Sequence, residues 1–111
     1  MSDLLSKKCV PCEGGVPPMG EEEIAGLLPQ VQGWEVIEKK KIQKVFKFKD
    51  FRAAMEFVNK VAGLAEEEGH HPDIHIHYNK VRLELWTHAI GGLSENDFIA
   101  AAKINAIWGP V

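Results

Sequence analysis

Every histidine in this chain lies between residues 70 and 88: His70, His71, His75, His77 and His88, with Glu66 just before them and Asp97 just after. Histidine is the side chain that gives and takes protons near neutral pH, and a carboxylate beside it fixes its tautomer. Proton-transfer chemistry is therefore the first expectation. The same residue types also ligate zinc or iron, so a metalloprotein is the rival expectation.

Placement decides which histidines can meet. Residues 1–19, with three prolines and the run Gly14-Gly15-Val16-Pro17-Pro18, read as an extended arm, and 20–111 as a single domain. Glu21-Glu22-Glu23 opens a helix with Ile24, Leu27, Leu28 and Val31 at helical spacing, ended or kinked by Pro29 and closed by Gly33. Trp34–Glu38 and Lys41–Lys49 look like strands around a Lys39-Lys40 turn. Val45 breaks the alternation of the second, which suggests a bulge. Asp50 caps a long helix whose apolar stripe includes Phe51, Ala54, Met55, Val58, Val61, Ala62 and Ala65, and Gly69 suits the left-handed position past its end.

Ile74–Tyr78 and Val81–Trp86 both alternate strictly around Asn79 and Lys80, the length of a tight hairpin. The last helix starts at Ser94, carries Phe98, Ala101, Ala102, Ile104 and Trp108, and stops at Gly109-Pro110. The order α-β-β-α-β-β-α predicts an α+β fold, a four-stranded antiparallel sheet with three helices on one face.

An Asn79-Lys80 turn pairs Tyr78 with Val81, His77 with Arg82, His75 with Glu84 and, at the far end, His71 with His88. Alternation puts Ile74, Ile76 and Tyr78 on the core face and His75 and His77 on the outer face, where polar residues need no further explanation. His70, His71 and His88 fall at a helix-to-strand junction and a strand end, where functional groups gather. Glu66-Glu67-Glu68 occupies a helix C-terminus, where each carboxylate opposes the macrodipole by about 0.3–1 kcal/mol. Such a conflict suggests that one of the three serves a ligand or a histidine; Glu67 and Glu68 read as solvated. Asp97 has an ordinary explanation too, since Ser94-x-x-Asp97 is a capping box.

The bulk figures narrow the class. A chain of 111 residues with 45% hydrophobic and 26% charged residues is a globular domain. A formal net charge of −3 argues against a phosphate-neutralising surface, so no direct nucleic-acid partner is expected. No apolar run reaches the roughly 18 residues of a membrane span, and the first residues lack the order of a secretory signal, so a cytoplasmic protein without membrane contact is expected. Cys9 and Cys12 form a lone Cys-x-x-Cys, read as reduced thiols on an arm, with a metal shared between subunits as the alternative.

The series Glu66, His70-His71-Pro72, Tyr78, His88 and Asp97 resembles the signature of the pterin-4a-carbinolamine dehydratases in residue types and spacing. The resemblance extends from Gly33-Trp34 through Phe46-Lys47-Phe48 to Thr87-His88-Ala89-Ile90-Gly91-Gly92-Leu93, and a Cys-x-x-Cys arm is similar to that of some bacterial members. The chain departs at Gly69, where some members carry a polar or acidic residue, and at Ile74, an aromatic position in animal members.

The resemblance implies a hydro-lyase that removes water from 4a-hydroxytetrahydropterin, recycling the pterin of aromatic amino-acid hydroxylases. With that chemistry, three catalytic histidines are expected, His70 and His88 as the acid/base pair and His71, like its counterpart in the family, binding and orienting the pterin, while Glu66, Thr87 and Asp97 are expected to hold histidines or substrate. The resemblance implies no metal and no cofactor beyond the pterin substrate, a homodimer or homotetramer, and phenylalanine hydroxylase as a possible functional partner. Animal members also act as dimerisation cofactors of a transcription factor, so a protein-interaction module is the alternative function.

Overall fold

The computed structural model describes residues 3–9 and 17–108. Cys12 and the Gly109-Pro110 stop fall outside the described residues. The elements follow the expected order: α1 (Glu21–Leu27), β1 (Glu35–Ile37), β2 (Lys41–Lys47), α2 (Phe51–Glu68), β3 (Asp73–His77), β4 (Lys80–Leu85) and α3 (Glu95–Trp108), with 3-10 turns at Asp3–Ser6, Leu28–Gln30 and His88–Ile90. The strands form one antiparallel sheet in the order β1-β2-β4-β3. Pro29 sits in the 3-10 turn that prolongs α1, where its missing N–H costs nothing.

Local signals set the ends of α2. Asp50 accepts a hydrogen bond from the Ala53 amide, and Gly69 takes φ 67, the left-handed conformation that a Cβ disfavours. Ala54, Phe57, Val58, Val61 and Ala65 bury its inner face against the sheet and α3. Helix α3 is buried almost all round from Asn96 to Ala102, because it lies between α2, the sheet and the N-terminal segment. Ile42, Phe46, Val81, Leu83 and Leu85 supply the sheet side of the core. Phe46, Phe57 and Trp108 pack ring to ring, with centroids 4.7–5.3 Å from Phe46, beside the Val81 end of β4.

Four details differ from the sequence expectations. The β3–β4 turn is Tyr78-Asn79, so His77 faces Lys80, His75 faces Arg82 and Asp73 faces Glu84. A neighbouring hairpin sets this register: the Phe48 amide donates to the Asn79 carbonyl at 2.8 Å, and Asn79 Nδ2 donates to the Phe48 carbonyl at 3.0 Å. His71 and His88 are therefore not opposed in the ladder. The slip is two residues, so no strand residue changes face. Tyr78, expected on the core face, is instead a turn residue at φ 56 and 67% exposed.

Val45 introduces no bulge. Pairing from Ile42↔Leu85 to Lys47↔Lys80 is unbroken, and Val45 projects from the outer face. The β1–β2 turn spans Glu38–Lys40, with Glu38 and Lys39 at positive φ. The described part of the N-terminal segment is not simply extended either. Asp3–Ser6 make a 3-10 turn against α3, and Leu4 is buried in the core.

Candidate active site

The long helix ends, the chain turns at Gly69, and His70-His71-Pro72 leads into β3. On the adjacent strand, β4 ends at Leu85 and passes through Trp86 and Thr87 to the turn His88–Ile90. Gly91, at φ 65, lets that turn double back so that the Thr87 amide bonds the Gly92 carbonyl at 2.8 Å. Between these segments lies a cleft of about 370 Å³, with His70, His71 and Asp73 on one side and Trp86, Thr87 and His88 on the other. That volume falls at the lower end of the range of small-molecule sites, about 300–1,000 Å³. It lies at the opposite end of β4 from the aromatic cluster.

Behind the cleft stands Asp97, fully buried at the start of α3. Its Oδ2 accepts from the Ser94 amide and from the Thr87 hydroxyl, both at 2.9 Å, and its Oδ1 lies 2.6 Å from His70 Nε2. The capping bond is thus present, and the carboxylate does more than cap. A carboxylate can only accept, so His70 Nε2–H donates to Asp97 Oδ1, which leaves Nδ1 as the nitrogen of that ring free to exchange a proton. Since Thr87 donates to Asp97, Ser94 Oγ–H donates to Thr87 Oγ1 at 2.8 Å, which completes a chain of donors. His71 Nε2 meets Glu66 Oε2 at 2.6 Å, but both side chains are largely exposed, so this pair contributes less than about 1 kcal/mol.

Of the six residues expected at the site, His70, His71, Thr87 and His88 line the cleft. Asp97 and Glu66 each stand behind a histidine. His75 and His77 project from the outer sheet face, His75 Nε2 lying 3.7 Å from Glu84 Oε1. Glu84, nearly buried there, has its carboxyl held below the ordinary range by the hydrogen bond from Lys41. Among the described residues, no three His, Cys, Asp or Glu side chains are arranged to hold a metal ion.

The sequence reading misses Trp86 and Asp73 on the cleft wall, and it misjudges Glu68. Far from being solvated, the Glu68 side chain is 7% exposed. Oε1 accepts from the Cys9 amide and Oε2 from Lys103 Nζ, both at 2.9 Å. Both partners come from distant sequence, so no local signal could disclose them. Those bonds, the Cys9 amide foremost, lower the Glu68 pKa.

Glu68→Gln leaves the Lys103 ammonium largely buried without its counter-charge, and should cost roughly 1–3 kcal/mol in urea unfolding at pH 7. A depressed folded pKa makes the carboxylate's contribution complete above the ordinary value of 4.5 and progressively lost as pH falls through the folded value. The gap between wild type and Glu68→Gln should therefore close in acid.

Burial, reinforced by the nearby Glu68 carboxylate, pushes the Cys9 thiol up to about 12. Its Sγ lies 3.5 Å from the Asn96 carbonyl. In a Cys12→Ser background, alkylation of Cys9 at pH 8 should be on the order of 10²–10³-fold slower in the folded protein than in denaturant, because the thiolate is the reactive form. Equal rates would contradict this placement.

The fold is that of a small α+β domain with a histidine–carboxylate cleft at one end of its sheet. The model of the pterin 4 alpha carbinolamine dehydratase family matches residues 17–107. A Nitrosospira multiformis protein with a provisional pterin-4-alpha-carbinolamine dehydratase name is 52% identical over 108 residues, 97% of this chain and 95% of its own. A Rubrobacter xylanophilus protein with the same name is 47% identical over 107 residues, 96% of this chain and all of its own.

The crystal structure of a transcriptional coactivator/pterin dehydratase from Brucella melitensis superposes with a TM-score of 0.79 at 38% identity, covering 83% of this chain and 99% of that one. A pterin dehydratase-like protein identified as a RuBisCO assembly factor in the alpha-carboxysome shares the fold, with a TM-score of 0.62 at 24% identity over 74% of this chain and 96% of its own. The chain belongs to the pterin-4a-carbinolamine dehydratase family, and with it to the hydro-lyases.

Proposed function

We propose that the protein removes water from 4a-hydroxytetrahydropterin, with His70 and His88 as the acid/base pair. One histidine protonates the 4a-hydroxyl and the C4a–O bond breaks. The N5 lone pair closes a C4a=N5 double bond, and the other histidine takes the N5 proton. Products are quinonoid dihydropterin and water, and the proton count balances with no other reagent. Each proton transfer is worth on the order of 10²–10⁴ in rate.

The observation that carries this reading is the His70–Asp97 pair: a cleft-lining imidazole with one nitrogen fastened to a buried carboxylate, across from a second imidazole. His71 and Thr87 orient the pterin, and Glu66 steadies His71. In this reading the pterin is substrate and no metal or further cofactor takes part. The enzyme works in the cytoplasm as a homodimer or homotetramer beside a hydroxylase such as phenylalanine hydroxylase. Among the described residues no helix is long and apolar enough to cross a membrane.

The test generates the hydroxypterin with phenylalanine hydroxylase and follows its dehydration. Catalytic amounts of the protein should accelerate it well above the spontaneous rate. The coactivator half of the Brucella melitensis neighbour's name supports a second reading, a protein-interaction module. No acceleration in the assay would favour that reading.

A further inference from the structure

The histidines of the cleft are held in unlike ways. Asp97 occupies one nitrogen of His70, and Glu66 occupies one of His71. His88 is exposed on a 3-10 turn and, among the described residues, makes no side-chain hydrogen bond. No hydrogen bond to a described residue therefore selects among the staggered rotamers of this imidazole. What it meets instead is the Trp86 ring, with centroids 3.8 Å apart and planes inclined by 36°. The indole is itself tethered, because Nε1–H donates to Asp73 Oδ2 on the neighbouring strand at 3.3 Å.

Indole nitrogen is a donor only, and here it is directed at Asp73. Trp86 therefore restrains His88 without occupying either imidazole nitrogen. A carboxylate would hold the ring more firmly but would consume one of them. The three side chains form a relay of position: Asp73 sets the indole, the indole sets the imidazole, and neither imidazole nitrogen is hydrogen-bonded to another described residue.

We infer that Trp86, anchored by Asp73, is the positioning residue for His88 in the dehydration reaction. The inference rests on the function proposed above. Orientation of an acid/base group against one substrate atom affects the chemical step more than binding, and a displacement near 1 Å is enough to slow it strongly.

The test measures kcat and KM for wild type, Trp86→Leu, Trp86→Phe and His88→Ala, and for Trp86→Leu combined with His88→Ala. Trp86→Leu should lower kcat on the order of 10-fold and move KM by less than about 3-fold. Trp86→Phe, which keeps a stacking face but loses the Nε1–H bond to Asp73, should recover only part of kcat. With His88 already removed, Trp86→Leu should change the remaining rate less than about 2-fold, because the two side chains act as one unit. A Trp86→Leu enzyme with wild-type kcat, or an equal loss with and without His88, would overturn the inference while leaving the dehydratase reading intact. Absence of wild-type acceleration would overturn that reading itself. The His88 Cε1–H resonance reads the geometry independently: indole ring current should displace it in wild type, and the displacement should vanish in Trp86→Leu. An unchanged resonance would contradict the stack.

Discussion

Replacing Asp97 by asparagine should cut the dehydration rate on the order of 10²-fold or more while leaving the protein folded. The carbonyl oxygen of the new amide can still accept from the Ser94 amide and the Thr87 hydroxyl, the two donors that Asp97 Oδ2 serves at 2.9 Å. That leaves the amide nitrogen, a donor, facing His70 Nε2. His70 must then accept at Nε2 and carry its proton on Nδ1, the reverse of the wild-type tautomer. A histidine in the wrong tautomer loses most of its acid/base function even when its position hardly changes. The stability cost should stay below about 1.5 kcal/mol.

Asp97→Ala separates the two roles of this carboxylate. It leaves a fully buried site with three donors unpaired and should cost roughly 3 kcal/mol or more, lowering the melting temperature by about 10 °C or more, with a rate loss at least as large as that of Asp97→Asn. Kinetics and thermal melts on the two variants check both halves. An Asp97→Asn enzyme with wild-type kcat would leave Asp97 as a helix cap and nothing further.

His88→Ala should lower kcat on the order of 10²-fold with almost no effect on stability. The separation is clean because the His88 side chain is exposed and supports no hydrogen bond among the described residues. Surface substitutions of that kind change stability by about 0.5 kcal/mol or less. His70→Ala is a less clean probe, since the His70 side chain is only 12% exposed and its loss leaves Asp97 Oδ1 without a partner. A fully active His88→Ala enzyme would remove His88 from the acid/base pair.

Much of this arrangement is legible in the sequence because its determinants are local. Asp50, Gly69 and Ser94-x-x-Asp97 mark helix ends by chemistry confined to a few residues, and the structure has all three. Strand alternation sorts His75 and His77 from the rest, and it survives the register error because a slip of two residues preserves the faces. The register itself is not legible. It depends on Asn79 being bonded on both sides to Phe48, a residue of the other hairpin.

Glu68 misleads for the same reason. Its helix-terminal position reads as solvated, while its partners Cys9 and Lys103 are remote in sequence. Trp86 is visible as a strand residue two positions from His88, a spacing that puts one ring within reach of the other. Alternation assigns it only to the outer face, and the turn at His88 that brings the rings together is set by Gly91 and the Thr87–Gly92 bridge. Sequence reasoning does anticipate the convergence of His70, His71 and His88, though through a strand pairing that does not exist. Two loops at one end of the sheet bring them together instead.

The central claim is that two imidazoles, one fastened to Asp97 and one stacked on Trp86, move the protons of a pterin dehydration. The most direct measurement compares wild type with the His70→Ala/His88→Ala double variant in the hydroxylase-coupled assay, with circular dichroism confirming that both are folded. The predicted result is strong acceleration by wild type and a rate indistinguishable from the spontaneous reaction for the double variant. A folded double variant that matches the wild-type rate would contradict the claim.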